Sequence, residues 1–122
     1  MCDKFSQKSG HILWCLYEVI EQRRQDLPQN SYTTSLFNAG IEKISAKFSE
    51  ESEELIRSAS AISLNGDGEA EKKQMIHEAA DFMYHFLVLL VASGISLDDV
   101  EYELTRRFGV SGLDEKNTRN KH

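Results

Sequence analysis

Proline occurs once in this 122-residue chain, at Pro28, so hardly any helix need be broken by a missing amide hydrogen. The alternating β-branched runs that mark strands are also absent, whereas apolar residues recur three and four apart along most of the length. These absences exclude a sheet and indicate an all-α fold. Cys2 and Cys15 are too few for a disulfide framework and lack metal-ligand spacing, so both are expected to be free thiols in a reducing compartment. Positive charge is short as well. Fourteen basic residues against 20 acidic ones leave a net charge of −6, which removes the attraction that begins nucleic-acid binding and obliges a polyanionic partner to bring a cation. Long apolar runs are missing near the start: the stretch 12–20 contains Glu18, with neither a basic lead-in nor a small-residue cleavage site. No membrane partner and a cytoplasmic location are therefore expected.

What is present suits a soluble single domain over residues 1–122, with a modest core that a partner subunit would help to cover. A first helix is expected over about residues 10–26, capped by Ser9 and burying Leu13, Leu16 or Tyr17, and Ile20; Pro28 and the polar residues after it end it. A short helix follows over 32–38, and Gly40 marks either its end or a kink into a longer helix reaching about Ile62. The turn cluster Asn65, Gly66, Asp67, Gly68 then precedes a helix from Glu69 or Ala70 to Ser93, stopped by Gly94. Ser96 with Asp99 matches a capping box for a last helix over 97–108, and 109–122 reads as an extended polar tail. The architecture is a bundle of four to five helices around a long-helix hairpin.

On a helical wheel, Ile44, Phe48, Leu55 and Ile62 fall within roughly 40° and define the buried stripe of the first long helix. Glu51 lies inside that stripe, Glu54 and Lys47 flank it, and Glu50 lies further round. The second long helix is apolar on almost every side, yet Glu78, Asp81 and His85 share one face. Glu54 and Glu78 are each eight residues from the hairpin ends, about 12 Å, and Glu51 and Asp81 each eleven, about 16 Å. Two level pairs of carboxylates should therefore face one another. At about 4 Å and an effective dielectric near 20, two such charges repel by roughly 4 kcal/mol, so a cation belongs among them. Oxygen donors suit Mg²⁺, or Mn²⁺ in its place, better than zinc. His77 with Glu78 and Asp81 falls one ligand short of the zinc-protease pattern His-Glu-x-x-His. A solvated glutamate face is the ordinary explanation of residues 50–54 alone; the matching acids on the second helix argue against it. His85 is either a satisfied core histidine or a group that steadies a ligand.

The motif Glu50-Glu51-x-x-Glu54, then Glu78-x-x-Asp81, resembles the metal motif of the MazG-type all-α nucleotide pyrophosphohydrolases. Flanking stretches narrow the likeness: residues 16–21, Ser31-Tyr32-Thr33-Thr34-Ser35-Leu36, Glu78-Ala79-Ala80-Asp81 with His85, residues 87–90, and Glu115-Lys116-x-x-Arg119. Together they are similar to the phosphoribosyl-ATP pyrophosphohydrolase family of histidine biosynthesis, in its stand-alone form. Phe48 and Ser49 depart from it, standing where a smaller aliphatic residue and glycine are expected. The resemblance implies Mg²⁺-dependent hydrolysis of phosphoribosyl-ATP to phosphoribosyl-AMP and pyrophosphate. It implies Glu51, Glu54, Glu78 and Asp81 as ligands, Glu50 as base or further ligand, and a homodimer. Lys47 is placed to meet the substrate's phosphates. Lys116 and Arg119 are the leading candidates for its distal phosphate, ahead of Arg23, Arg24, Arg106 and Arg107. A house-cleaning nucleoside triphosphate pyrophosphohydrolase would share the metal motif, and a non-catalytic helical binding module could hold a structural cation with the same acids.

Overall fold

The computed structural model describes residues 11–66 and 68–109. Among these are five helices and no strand: α1 (His11–Asp26), α2 (Tyr32–Ala39), α3 (Ile41–Asn65), α4 (Glu69–Ala92) and α5 (Leu97–Phe108). The all-α expectation holds. Ser9, Lys116, Arg119 and the tail beyond Gly109 lie outside the described residues.

Local chemistry explains the joints. Leu27 and Asn30 take positive φ (45° and 63°) around Pro28 and turn the chain out of α1. Ser31 then caps α2, its hydroxyl accepting from the Thr34 amide at 3.2 Å. Gly40 has φ 97° and ψ 176°, a conformation that only glycine adopts readily, and serves both neighbours: its amide donates to Leu36 and its carbonyl accepts from Ile44. It therefore ends one helix and begins the next. Ser96 does cap α5, but its hydroxyl accepts from the Asp98 amide at 2.9 Å, one residue earlier than the capping box implied.

The core gathers Tyr17 and Ile20 of α1, Leu36 of α2, Ile44 of α3, Leu87, Val88 and Val91 of α4, and Leu97 of α5. It fills one end of the α3–α4 hairpin, where α1 and α2 pack. Tyr17 also ties the α4–α5 turn, donating to the Ile95 carbonyl at 3.0 Å. By length and composition α4 could cross a membrane, yet Leu87, Val88 and Val91 are buried in the protein's own core. Cys15 is buried and disulfide-bonded, which corrects the expectation of a free thiol; its partner lies outside the described residues. The other end of the hairpin leaves Ile56, Leu64 and Ile76 exposed by 61%, 83% and 69%, so among the described residues no other helix covers these side chains.

The buried line of α3 differs from the expected stripe. Ile44, Glu51 and Ser58, seven apart, are its buried residues, while Phe48, Leu55 and Ile62 form a half-buried line beside them. Glu78 and His85, also seven apart, are buried on α4. A period of seven is what two long helices adopt when they pack side by side, and here the seam between them is polar. Phe48, the departure from the family pattern, packs on Phe82 with ring centroids 4.9 Å apart and belongs to the neighbouring apolar line.

Candidate active site

The polar seam crosses the hairpin where the core ends and the uncovered half begins. From α3 it receives Glu51 and Glu54, and from α4 Glu78, and one carboxylate oxygen of each lies within 4.8 Å of one from the other two. Glu51 and Glu78 are buried to 7% and 9% exposure. Glu51 Oε2 and Glu78 Oε1 have no hydrogen-bond partner, a costly state for a buried carboxylate. The remaining oxygen of Glu78 accepts from Gln74 Nε2 at 2.6 Å. The Glu51 charge, with burial and Glu78 behind it, pushes the Glu54 carboxyl above its ordinary range. Three acids that repel one another and leave two buried oxygens unpaired are a donor set suited to a hard divalent cation. A cavity of about 280 Å³ opens beside them, lined by Arg57, Ser58, Ala61 and Gln74 as well as Glu54 and Glu78.

The expected level pairs form only in part. Glu54 meets Glu78, as the hairpin spacing required. Asp81, instead of joining Glu51, turns toward His77, with Asp81 Oδ2 3.3 Å from His77 Nε2, and shares a second group with His77 and Glu78. Glu78 is common to both groups. Glu50 is on the outer face of α3, 57% exposed in its side chain and 3.8 Å from Lys47, and joins neither group.

His85 is buried and fully engaged. Its Nδ1 lies 2.8 Å from the Asp81 carbonyl, which can only accept, so Nδ1 carries a proton. In the neutral ring Nε2 then accepts from the Tyr32 hydroxyl at 3.0 Å. His85 thus steadies the turn of α4 that carries Asp81, and it ties that turn to the start of α2. Burial raises the Tyr32 phenol's pKa; Lys47 opposes the shift, while Glu51, Glu50 and Asp81 add to it, which puts this ring within the field of the acidic seam. Thr33 bonds the Tyr84 hydroxyl beside it.

Several basic candidates are already engaged. Arg24 donates to the Val91 carbonyl near the end of α4. Arg106 and Arg107 both clasp Glu103, at 2.6 to 3.0 Å, and hold its pKa at about 2. Sequence reasoning missed Gln74 and Ser58, and it named Tyr32 within a family-like stretch without giving it a role. Extending the three-and-four spacing from Glu78 back to Gln74, and from Glu54 on to Ser58, would have found the first two. Tyr32 reaches the seam from another element, and no spacing announces that.

Residues 14–108 match the family described as Phosphoribosyl-ATP pyrophosphohydrolase. A protein of Geobacter sulfurreducens named phosphoribosyl-ATP pyrophosphatase is 45% identical over 109 residues, which make up 89% of this chain and 94% of that protein. Proteins of the same name from Rhodopirellula baltica and Methylococcus capsulatus are 44% and 42% identical, over 85% and 88% of this chain and 82% and 95% of their own.

Proposed function

This chain belongs to the phosphoribosyl-ATP pyrophosphohydrolase family, and from that premise we propose that the carboxylate seam between α3 and α4 is its active site. The enzyme hydrolyses phosphoribosyl-ATP to phosphoribosyl-AMP and pyrophosphate, a step of histidine biosynthesis. The observation that carries the site is the pair of buried, unpartnered oxygens on Glu51 and Glu78 within one cluster of acids.

Glu51, Glu54, Glu78 and Asp81 would hold Mg²⁺, with Mn²⁺ as a substitute. Bound there, such an ion would supply positive charge to offset that of the departing pyrophosphate and would make a water more acidic. Glu50, which stands clear of the clustered oxygens, accepts a proton from the attacking water as its oxygen bonds to phosphorus and the phosphoanhydride bond breaks. Lys47, beside Glu50, binds substrate phosphate, and Lys116 and Arg119 hold the distal ribose phosphate. His85 keeps the Asp81 turn in place. A homodimer is supported by the apolar side chains left uncovered at the far end of the hairpin. A soluble nucleotide substrate accords with a cytoplasmic location.

The test is pyrophosphate release from phosphoribosyl-ATP and from a panel of ordinary and deoxynucleoside triphosphates, with and without Mg²⁺. Release from phosphoribosyl-ATP that requires Mg²⁺ is expected, and release from the ordinary triphosphates alone would overturn the reading. Asp81→Asn should abolish most of the release; full activity in that variant would leave the acids as a merely structural ion site.

A further inference from the structure

The stretch Ser31-Tyr32-Thr33-Thr34-Ser35-Leu36 is not used by the chemistry above, although most of it is fixed in place. Ser31 caps α2, Thr33 bonds Tyr84, and Leu36 is in the core. Tyr32 is different. Its hydroxyl is held by His85 at 3.0 Å and its ring packs on Tyr84 with centroids 6.2 Å apart, yet the residue remains 51% exposed. An aromatic side chain pinned at its polar tip and open at its ring is preorganised to receive another flat ring, because little freedom is left to lose on contact. Tyr32 also lines a cavity of about 460 Å³ between the α1–α2 turn and α2. Gln29, Asn30 and Asn38 line the same cavity, and each amide offers both donors and an acceptor. That is the complement of a purine, which has a π-face and edges of mixed polarity. Through His85, the same tyrosine is one helical turn from Asp81.

We infer that Tyr32 is the base-binding residue of this enzyme, stacking on the adenine ring of the substrate while the α1–α2 cavity receives the ring's edge. The inference rests on the phosphoribosyl-ATP reading for the identity of the base. It gives the substrate a direction: adenine lies toward α2, and the phosphates run from there to the acids of α3 and α4.

Calorimetric titration with two probes in the presence of Mg²⁺ separates this role from a structural one. AMP carries the base without pyrophosphate, and inorganic pyrophosphate carries no base. Tyr32→Leu should weaken AMP binding roughly ten- to a hundredfold, the usual range for losing one base–aromatic stack, and leave pyrophosphate binding within about twofold. Tyr32→Trp should bind AMP at least as well as the parent. Unchanged AMP affinity in Tyr32→Leu overturns the inference, and so does a parallel loss of both probes, the mark of a disturbed site. Should Tyr32→Leu fail to fold, Tyr32→Trp decides, and weaker AMP binding there counts against stacking. Turnover of phosphoribosyl-ATP by the parent enzyme, measured alongside, tests the functional reading separately, since the contrast between AMP and pyrophosphate does not depend on it.

Discussion

Glu78 belongs to both ligand groups, with Glu51 and Glu54 on one side and His77 and Asp81 on the other, so its removal should cost more than the loss of any acid in a single group. Glu78→Gln keeps the volume and the contact with Gln74 but removes the charge. Mn²⁺ affinity should fall by at least about a hundredfold, and pyrophosphate release with it, because even groups that merely orient a ligand are worth about ten- to a hundredfold. In EDTA the same variant should melt no lower than the parent, since an unpaired buried charge has been taken away. Normal Mn²⁺ affinity in Glu78→Gln would remove the cluster from consideration as the metal site. Glu54 supplies the pH dependence. Its folded-state pKa is raised above the ordinary 4.5 by Glu51 and burial, so the folded protein binds that proton more tightly than the unfolded chain does. The stabilisation from this is full below 4.5 and is lost as pH rises through the raised value. Protein in EDTA should therefore lose this part of its stability as pH climbs above that range, while Mn²⁺ affinity grows over the same interval as the cation displaces the proton. Melting curves and Mn²⁺ titrations between about pH 4 and about pH 7 would show both trends, and metal affinity independent of pH would refute the assignment.

Gly40 joins α2 to α3 in a conformation that is strained for any residue with a side chain. A Cβ there would meet nothing within 4 Å, so Gly40→Ala isolates the backbone term, about 1–3 kcal/mol of stability. The urea midpoint should drop at unchanged slope, and a parent-like midpoint would mean that the two helices tolerate another joint. That residues 32–39 and 41–65 are separate helices was only half legible: glycine announced a break, but the dual bonding that makes it both an end and a beginning is a matter of three-dimensional geometry. Helix identity was legible almost everywhere, because the three-and-four spacing of apolar residues is set by the helix itself. The buried line of α3 was not. A wheel weighted by hydrophobicity chose Phe48, Leu55 and Ile62, whereas packing buries Ile44, Glu51 and Ser58 and leaves the larger side chains half-covered. The same blindness affected the site: spacing brought Glu54 opposite Glu78, but could not know that His77 would draw Asp81 aside or that Tyr32 would arrive from α2.

The uneven covering of the hairpin bears on the whole molecule. The core lies at one end, while at the other Ile56, Leu64 and Ile76 stand 61%, 83% and 69% exposed. Burying such side chains is worth about 1.5–3 kcal/mol each, and in a domain of this size that is a large share of the total. A second copy laid on this half would cover them, and it would close over the edge of the acidic seam, which begins one turn away at Glu54 and Ser58. Ile76 is on α4 two residues before Glu78 but is exposed where Glu78 is buried, so Ile76→Lys places a charge on the uncovered face without entering the cluster. Sedimentation should find the parent dimeric at micromolar concentration and Ile76→Lys shifted toward monomer. If the tail bearing Lys116 and Arg119 completes the partner's site, pyrophosphate release per chain should fall on dilution of the parent and be low in the variant at any concentration. A parent enzyme that sediments as a monomer while keeping full activity would sink both the dimer and the shared site.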